Sequence, residues 1–270
     1  MAENHPASLA RAKVRRAMVV AVALAPAIFA GPGRPDAAAA EPNTAAALPW
    51  TGRNADPGDV ANSKGLVRLS PKFDVWVDAK RKRVVMLGEV ALRKGFLELF
   101  ACLKGTKEHE SIVSIDTSAT LVHTALLAVG AEAGHPVKFR PKYRPARGTR
   151  VEVLVFWNDQ RGARHHARAQ DWVRNSQTKR PLEHDWVFGG SAFWEDEQTG
   201  QRFYQAEDGD LICISNFPSA LLDLPVKVSQ ANDSLLFEAW TERIPPLGTK
   251  VAVVLVPQLS KPRAEKSGKR

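Results

Sequence analysis

The segment Phe100-Ala101-Cys102-Leu103-Lys104-Gly105-Thr106-Lys107-Glu108-His109-Glu110-Ser111 gathers a thiol, an imidazole, two carboxylates, hydroxyls and two ammonium groups into a dozen residues. Cys102 precedes His109 by seven positions, and Glu108 and Glu110 flank the histidine. A thiol becomes a nucleophile when an imidazole or a cation lowers its pKa, and Lys104, Lys107 and His109 are the nearby groups that could do so. Thiolate, imidazole and carboxylate together also suit zinc. Cys102, His109 and Glu110 are therefore the candidate catalytic residues and the candidate metal ligands. A third reading is a polar binding face made of Lys107, His109, Glu110, Ser111 and, from the helix that follows, His123. The plainest reading is that Glu108 to Ser111 hydrogen-bond to the backbone and lock a connection between strands.

The spacing matches no standard catalytic or metal template. H-E-x-x-H fails because Val113 stands where the second histidine belongs. Gly189-Gly190-Ser191 lacks the spacing of a G-x-S-x-G elbow. His165 and His166 are adjacent on a strand, so they point to opposite faces and cannot serve one site.

These side chains must be held by the surrounding elements. Phe73–Val77 alternates as a half-buried strand does, and Arg83–Leu92 returns as its hairpin partner across a polar turn. Phe96–Cys102 and Ser111–Ile115 read as the next two strands, with Gly105 turning the chain between them. Asp116-Thr117-Ser118 offers caps for a helix carrying Leu121, Val122, Leu126, Leu127 and Val129, ended by Gly130. Val151–Trp157 is a strand with a return over 163–169, and 169–175 reads as a short amphipathic helix. Short strands follow at Trp186–Phe188, Phe203–Tyr204, Leu211–Ser215, Leu235–Trp240 and Lys250–Val256. The expected fold is α+β: one domain, a mainly antiparallel sheet of short strands and one or two helices.

Residues 1–40 read as a secretory signal peptide: Arg11, Lys13, Arg15 and Arg16 precede an apolar run from Ala17 to Ala30 and small residues at 38–40. That run falls short of the ~20 residues a bilayer span needs, so the mature chain is expected to have no transmembrane span. Residues 41–65 read as a linker, 66–258 as the domain and 259–270 as a basic tail. The net charge is +9, of which residues 1–40 carry +3 and 261–270 carry +4, leaving +2 for 41–260. The basic excess thus lies outside the expected fold, which argues against nucleic-acid binding, although the tail could touch anionic surfaces. Two cysteines are too few for an iron–sulfur cluster. Export would favour a Cys102–Cys213 disulfide if their Cα atoms lie within about 7 Å. No cofactor is expected, zinc being the one metal the residues suit.

The stretch Phe100–Phe139, with Trp186–Ser191 and Ile244–Val251, resembles the YdjY-type domain of exported bacterial proteins over most of 66–258. The resemblance implies a periplasmic or secreted protein and brings no activity with it. Some relatives are described as ferredoxin-like, which two cysteines do not support. The expected function is an exported envelope protein that binds a ligand or protein partner. The alternative is a thiol- or metal-dependent hydrolase using Cys102, His109 and Glu110.

Overall fold

In the computed structural model, residues 65–228 and 235–259 are described. The leader, the linker up to residue 64 and the tail from 260 lie outside these residues. Eight strands carry the fold: β1 (Arg83–Val90), β2 (Leu99–Leu103), β3 (Ser111–Ile115), β4 (Arg150–Asn158), β5 (Trp186–Phe188), β6 (Ile212–Cys213), β7 (Leu222–Asp223) and β8 (Lys250–Pro257). They pair in the order β1-β8-β4-β5-β7-β6-β2-β3, and β3 pairs back onto β1. The sheet is therefore a closed eight-stranded barrel. The one α-helix among the described residues is α1 (Ala119–Ala128).

This overturns the α+β expectation: the fold is mainly β-sheet. The second helix expected at 169–175 is a 3₁₀ turn at Ala169–Trp172 followed by a strand at Val173–Asn175. Trp172 and Val173 are buried there, so their apolar character reflects packing and not helical period.

The alternation along β4 and β8 explains the wall. Val153, Val155, Val251, Val253 and Leu255 point into the main core. Leu154, Val254 and Ala252 face outward, where Trp76 and Val85 cover them. Strands β1 and β4 each change partner along one edge. The first half of β1 pairs with the strand Val75–Asp78, and Gly88–Val90 pair with β3. At the change of partner, a Cβ on Gly88 would lie 2.6 Å from the Ser114 carbonyl oxygen. Glycine there lets β3 approach and the ring close. Phe100, Trp172 and Trp186 fill the interior, with Phe100 5.9 Å from Trp186 and 6.3 Å from Trp172. Helix α1 adds Val122, Ala125 and Leu126 to the same core, and Ser118 caps it by accepting from the Leu121 N–H at 3.2 Å.

Two joints in the barrel are parallel, β2–β3 and β6–β7. Parallel neighbours usually need a crossover of a dozen or more residues. Here residues 104–110 and 214–221 do it with a short loop each. These two joints flank a single antiparallel one, because β2 and β6 pair with each other.

Candidate functional site

The first crossover must retrace β2 in a few residues, and its side chains hold it in that path. Gly105 turns with φ +81°. Thr106 Oγ1 donates to the Leu103 carbonyl at 2.6 Å. The Glu108 carboxylate accepts from the Gly105 N–H and from Ser114 Oγ. Burial works to raise the Glu108 pKa, and the backbone donors outweigh it and hold the carboxyl low. Ser111 is buried and donates to the Val113 carbonyl at 3.0 Å. Glu108 and Ser111 thus lock the connection, as one reading of the sequence anticipated.

The proposed nucleophile sits beneath this loop. Cys102 is fully buried and lies in a small cluster with Leu99, Cys213 and Ala220, against Phe217 of the second crossover. Burial pushes its thiol pKa up, against hydrogen bonds from Ser111 and the Lys107 backbone. Burial pushes the Cys213 thiol up further. His109 is 76% exposed and stands 3.7 Å from Glu110. Both thiols are free. A thiol reagent such as Ellman's is therefore expected to label neither cysteine in the folded chain and both in denaturant. Rapid native labelling would show that one of the crossovers opens.

Lys107 and Glu110 lie in a denser arrangement. Lys107 Nζ is 2.7 Å from Asp210 Oδ1 and 5.1 Å from the Phe217 ring centre. Burial works to lower the lysine pKa, and Asp210 outweighs it and holds the ammonium protonated. Asp210 is buried, and its second oxygen accepts from the Ser219 hydroxyl. Beside them, the Glu98 N–H donates to the Glu110 carbonyl at 3.2 Å. Burial and the Glu110 charge push the Glu98 carboxyl above the usual range. Among the described residues, no group of three or more His, Cys, Asp or Glu side chains is placed to hold a metal ion.

His123 belongs to an adjoining network. Its Nδ1 is 2.8 Å from the Tyr204 hydroxyl, which donates to the Gly190 carbonyl at 2.9 Å. Burial pushes the His123 pKa down and the Tyr204 pKa up. Ser191, at φ +57°, donates from Oγ to the Ser219 carbonyl at 2.6 Å. Glu207 accepts from the Ala119 and Thr120 N–H groups and so occupies the N-terminus of α1. His165 and His166 take opposite faces, stacking on Trp157 and Phe156 respectively.

From this network rises a two-stranded hairpin, Phe193–Glu195 with Arg202–Tyr204. It exposes Phe193 (57%), Trp194 (52%) and Phe203 (42%). Trp194 and Phe203 lie 5.4 Å apart across the strands.

Of the residues the sequence singled out, the structure brings Lys107, Glu110 and His123 to this region, buries Cys102 and Ser111 beneath the loop and leaves His109 in solvent. It missed Glu98, Asp210, Ser219, Tyr204 and the aromatic hairpin. The hairpin did carry a signal: aromatic residues at 193–194 and 203–204 bracket a polar turn that ends in Thr199-Gly200.

A family model described as the YdjY domain matches residues 75–256. The match covers both crossovers, the hairpin and all but the last residue of β8. Neither a curated protein nor a solved structure matches the chain. No helix among the described residues is long and apolar enough to cross a membrane.

Proposed function

The chain belongs to the YdjY domain family, and we propose that it is an exported binding domain of the cell envelope that captures its ligand on the aromatic hairpin. The observation that carries this reading is the exposure of Phe193, Trp194 and Phe203 on one small ribbon. A two-stranded ribbon is marginal by itself, and clustered exposed apolar side chains mark interaction sites. The flanking groups narrow the ligand. Glu195, Asp196 and Glu197 make the hairpin acidic, which disfavours anionic polymers and anionic lipid. Aromatic faces bordered by carboxylates and by Gln198 and Gln201 suit the apolar faces and hydroxyls of a neutral polysaccharide. Export rests on the leader-like residues 1–40.

The hydrolase alternative draws less from the geometry. Cys102 is sealed with its thiol pKa raised, and His109 faces solvent on the other side of the loop's hydrogen bonds. Co-sedimentation with chitin, an insoluble neutral polysaccharide, tests the binding reading. The wild-type chain is expected to sediment, and Trp194→Ala/Phe203→Ala to lose binding about tenfold or more, the scale of two stacking contacts, with its melting temperature little changed. A wild-type chain that stays in the supernatant would sink the polysaccharide reading. Equal sedimentation of the variant would remove the hairpin from it.

A further inference from the structure

We propose that Lys107 and Asp210 become joined by an amide bond between their side chains, a self-made cross-link of the two loops. This inference stands apart from the binding reading.

Four observations support it. First, Lys107 Nζ and Asp210 Oδ1 are 2.7 Å apart, which places the nitrogen within reach of the carboxyl carbon, near the ~3–3.5 Å of a near-attack arrangement. Second, the surroundings restrict water: Asp210 is buried, Lys107 is three-quarters buried, and Phe217 lies over the ammonium. Third, the oxygen of Asp210 that faces away from the lysine receives the Ser219 hydroxyl. That donor stabilises negative charge developing on Oδ2 during attack, in the manner of an oxyanion hole. Fourth, Glu98 and Glu110 are joined through their backbones at 3.2 Å, and their carboxyls lie close enough to the two reactants to exchange charge effects with them. A carboxylate there can take up and return a proton, which is what an amine trapped as its ammonium needs before it can attack.

The step balances without any other reactant. The ammonium gives a proton to the carboxyl pair, and the free Nζ forms a bond to Asp210 Cγ. The Cγ–Oδ1 bond then breaks, and Oδ1 takes up two protons, one from the pair and one from the nitrogen, and departs as water. One N–H remains on the new amide, and the Glu98–Glu110 pair ends as it began. The ammonium and carboxylate charges disappear together.

The consequence is a covalent tie between residues 103 positions apart. The loops it joins are already in close contact: a Cβ on Gly209 would lie 2.4 Å from Thr106 Oγ1. With both cysteines free, the tie would do in this chain what a disulfide does elsewhere.

Peptide mapping of the purified full chain after trypsin decides the matter. The expected product is a branched peptide joining residues 105–138 to 203–227, lighter than their sum by one water and carrying an uncleaved Lys107. Lys107→Arg keeps a cation opposite Asp210 and retains the fold, but it should yield only separate linear peptides. Glu98→Gln should slow cross-linking in freshly folded protein. Complete cleavage after Lys107 in the wild type, with 203–227 linear at full mass, would overturn the proposal. So would a water loss confined to linear 203–227 that persists in Lys107→Arg, because that marks a cyclic imide at Asp208-Gly209.

Discussion

Gly148→Ala is expected to cost the fold about 3 kcal/mol or more, enough to leave much of the protein unfolded. A Cβ at this position would lie 1.9 Å from the Phe188 carbonyl oxygen and 3.0 Å from the Gly134 nitrogen. All of these are backbone atoms, so no side chain can swing aside. Gly134 is constrained in the same way, 2.0 Å from the Arg147 carbonyl oxygen. Three segments interlock here: the strand Ala133–His135, the pair Arg147–Gly148 and β5. The Phe188 N–H donates to the Thr149 carbonyl at 2.9 Å, and the Thr149 N–H to the Glu132 carbonyl at 3.1 Å. Opening one contact strains the others. Gly162→Ala is the comparison, because its φ is +77° but nothing lies within 4 Å of the new methyl. It should cost only the left-handed strain of about 1 kcal/mol. Urea denaturation of both variants gives the two values. A Gly148→Ala protein with a wild-type midpoint would show that the three-way contact is loose.

Asp223→Asn should have a large effect of opposite sign. Asp223 is fully buried on β7. Its Oδ1 accepts from Asn216 Nδ2 at 3.0 Å and from the Leu224 N–H at 2.7 Å, and its Oδ2 has no partner. Burial first, and then the Asp210 charge, push the carboxyl up to about 8 against the hydrogen bonds it accepts. Cys213 and Tyr143 also feel its charge. The unfolded carboxyl titrates near 3.9. Between these values the folded chain binds more protons than the unfolded one, so stability is greatest below about pH 4 and falls as pH rises toward 8. At about 1.4 kcal/mol per unit, the loss from this group is on the order of 5 kcal/mol. Asparagine keeps the Oδ1 acceptor, carries no charge and puts an N–H₂ where Oδ2 is unpartnered. The variant should match wild type near pH 4 and gain on the order of 5 kcal/mol at pH 8. Parallel curves of stability against pH for the two proteins would show that Asp223 does not titrate in this way.

The parts of the fold that were legible in the sequence are those dictated locally. The hairpin into Arg83–Val90, the strands around Val113, Val153 and Val253, and the Ser118-capped helix all follow from period and capping chemistry. Closure of the barrel was not legible. It depends on Gly88 admitting β3 and on β1 and β4 each serving two partners along one edge, and the registers that close the ring join residues far apart in sequence. The parallel β2–β3 joint was hidden for a related reason: a short loop between two strands reads as a hairpin, and only the tertiary pairing shows that the strands run the same way. The candidate site was half legible. Lys107, Glu110 and His123 carried their signal in side-chain type. Their partners Glu98, Asp210, Ser219 and Tyr204 are ordinary polar residues of turns and strand ends, and only the fold brings them together. Cys102 was conspicuous because cysteine is rare in this chain, and its burial gives it the role of a small apolar wedge.

The position of β8 in the ring sets when the protein can fold. It lies between β1 and β4, and the Glu89–Lys250 contact alone spans 161 positions. Until residue 257 is free to pair, β1 and β4 each present a bare edge and the interior is open along its length. Most of the pairing is therefore non-local, which predicts folding in milliseconds to seconds. A chain still being synthesised has no closed intermediate to rest in. For as long as its last strand is withheld, the polypeptide stays unfolded and threadable, dependent on whatever shields its edges from other chains.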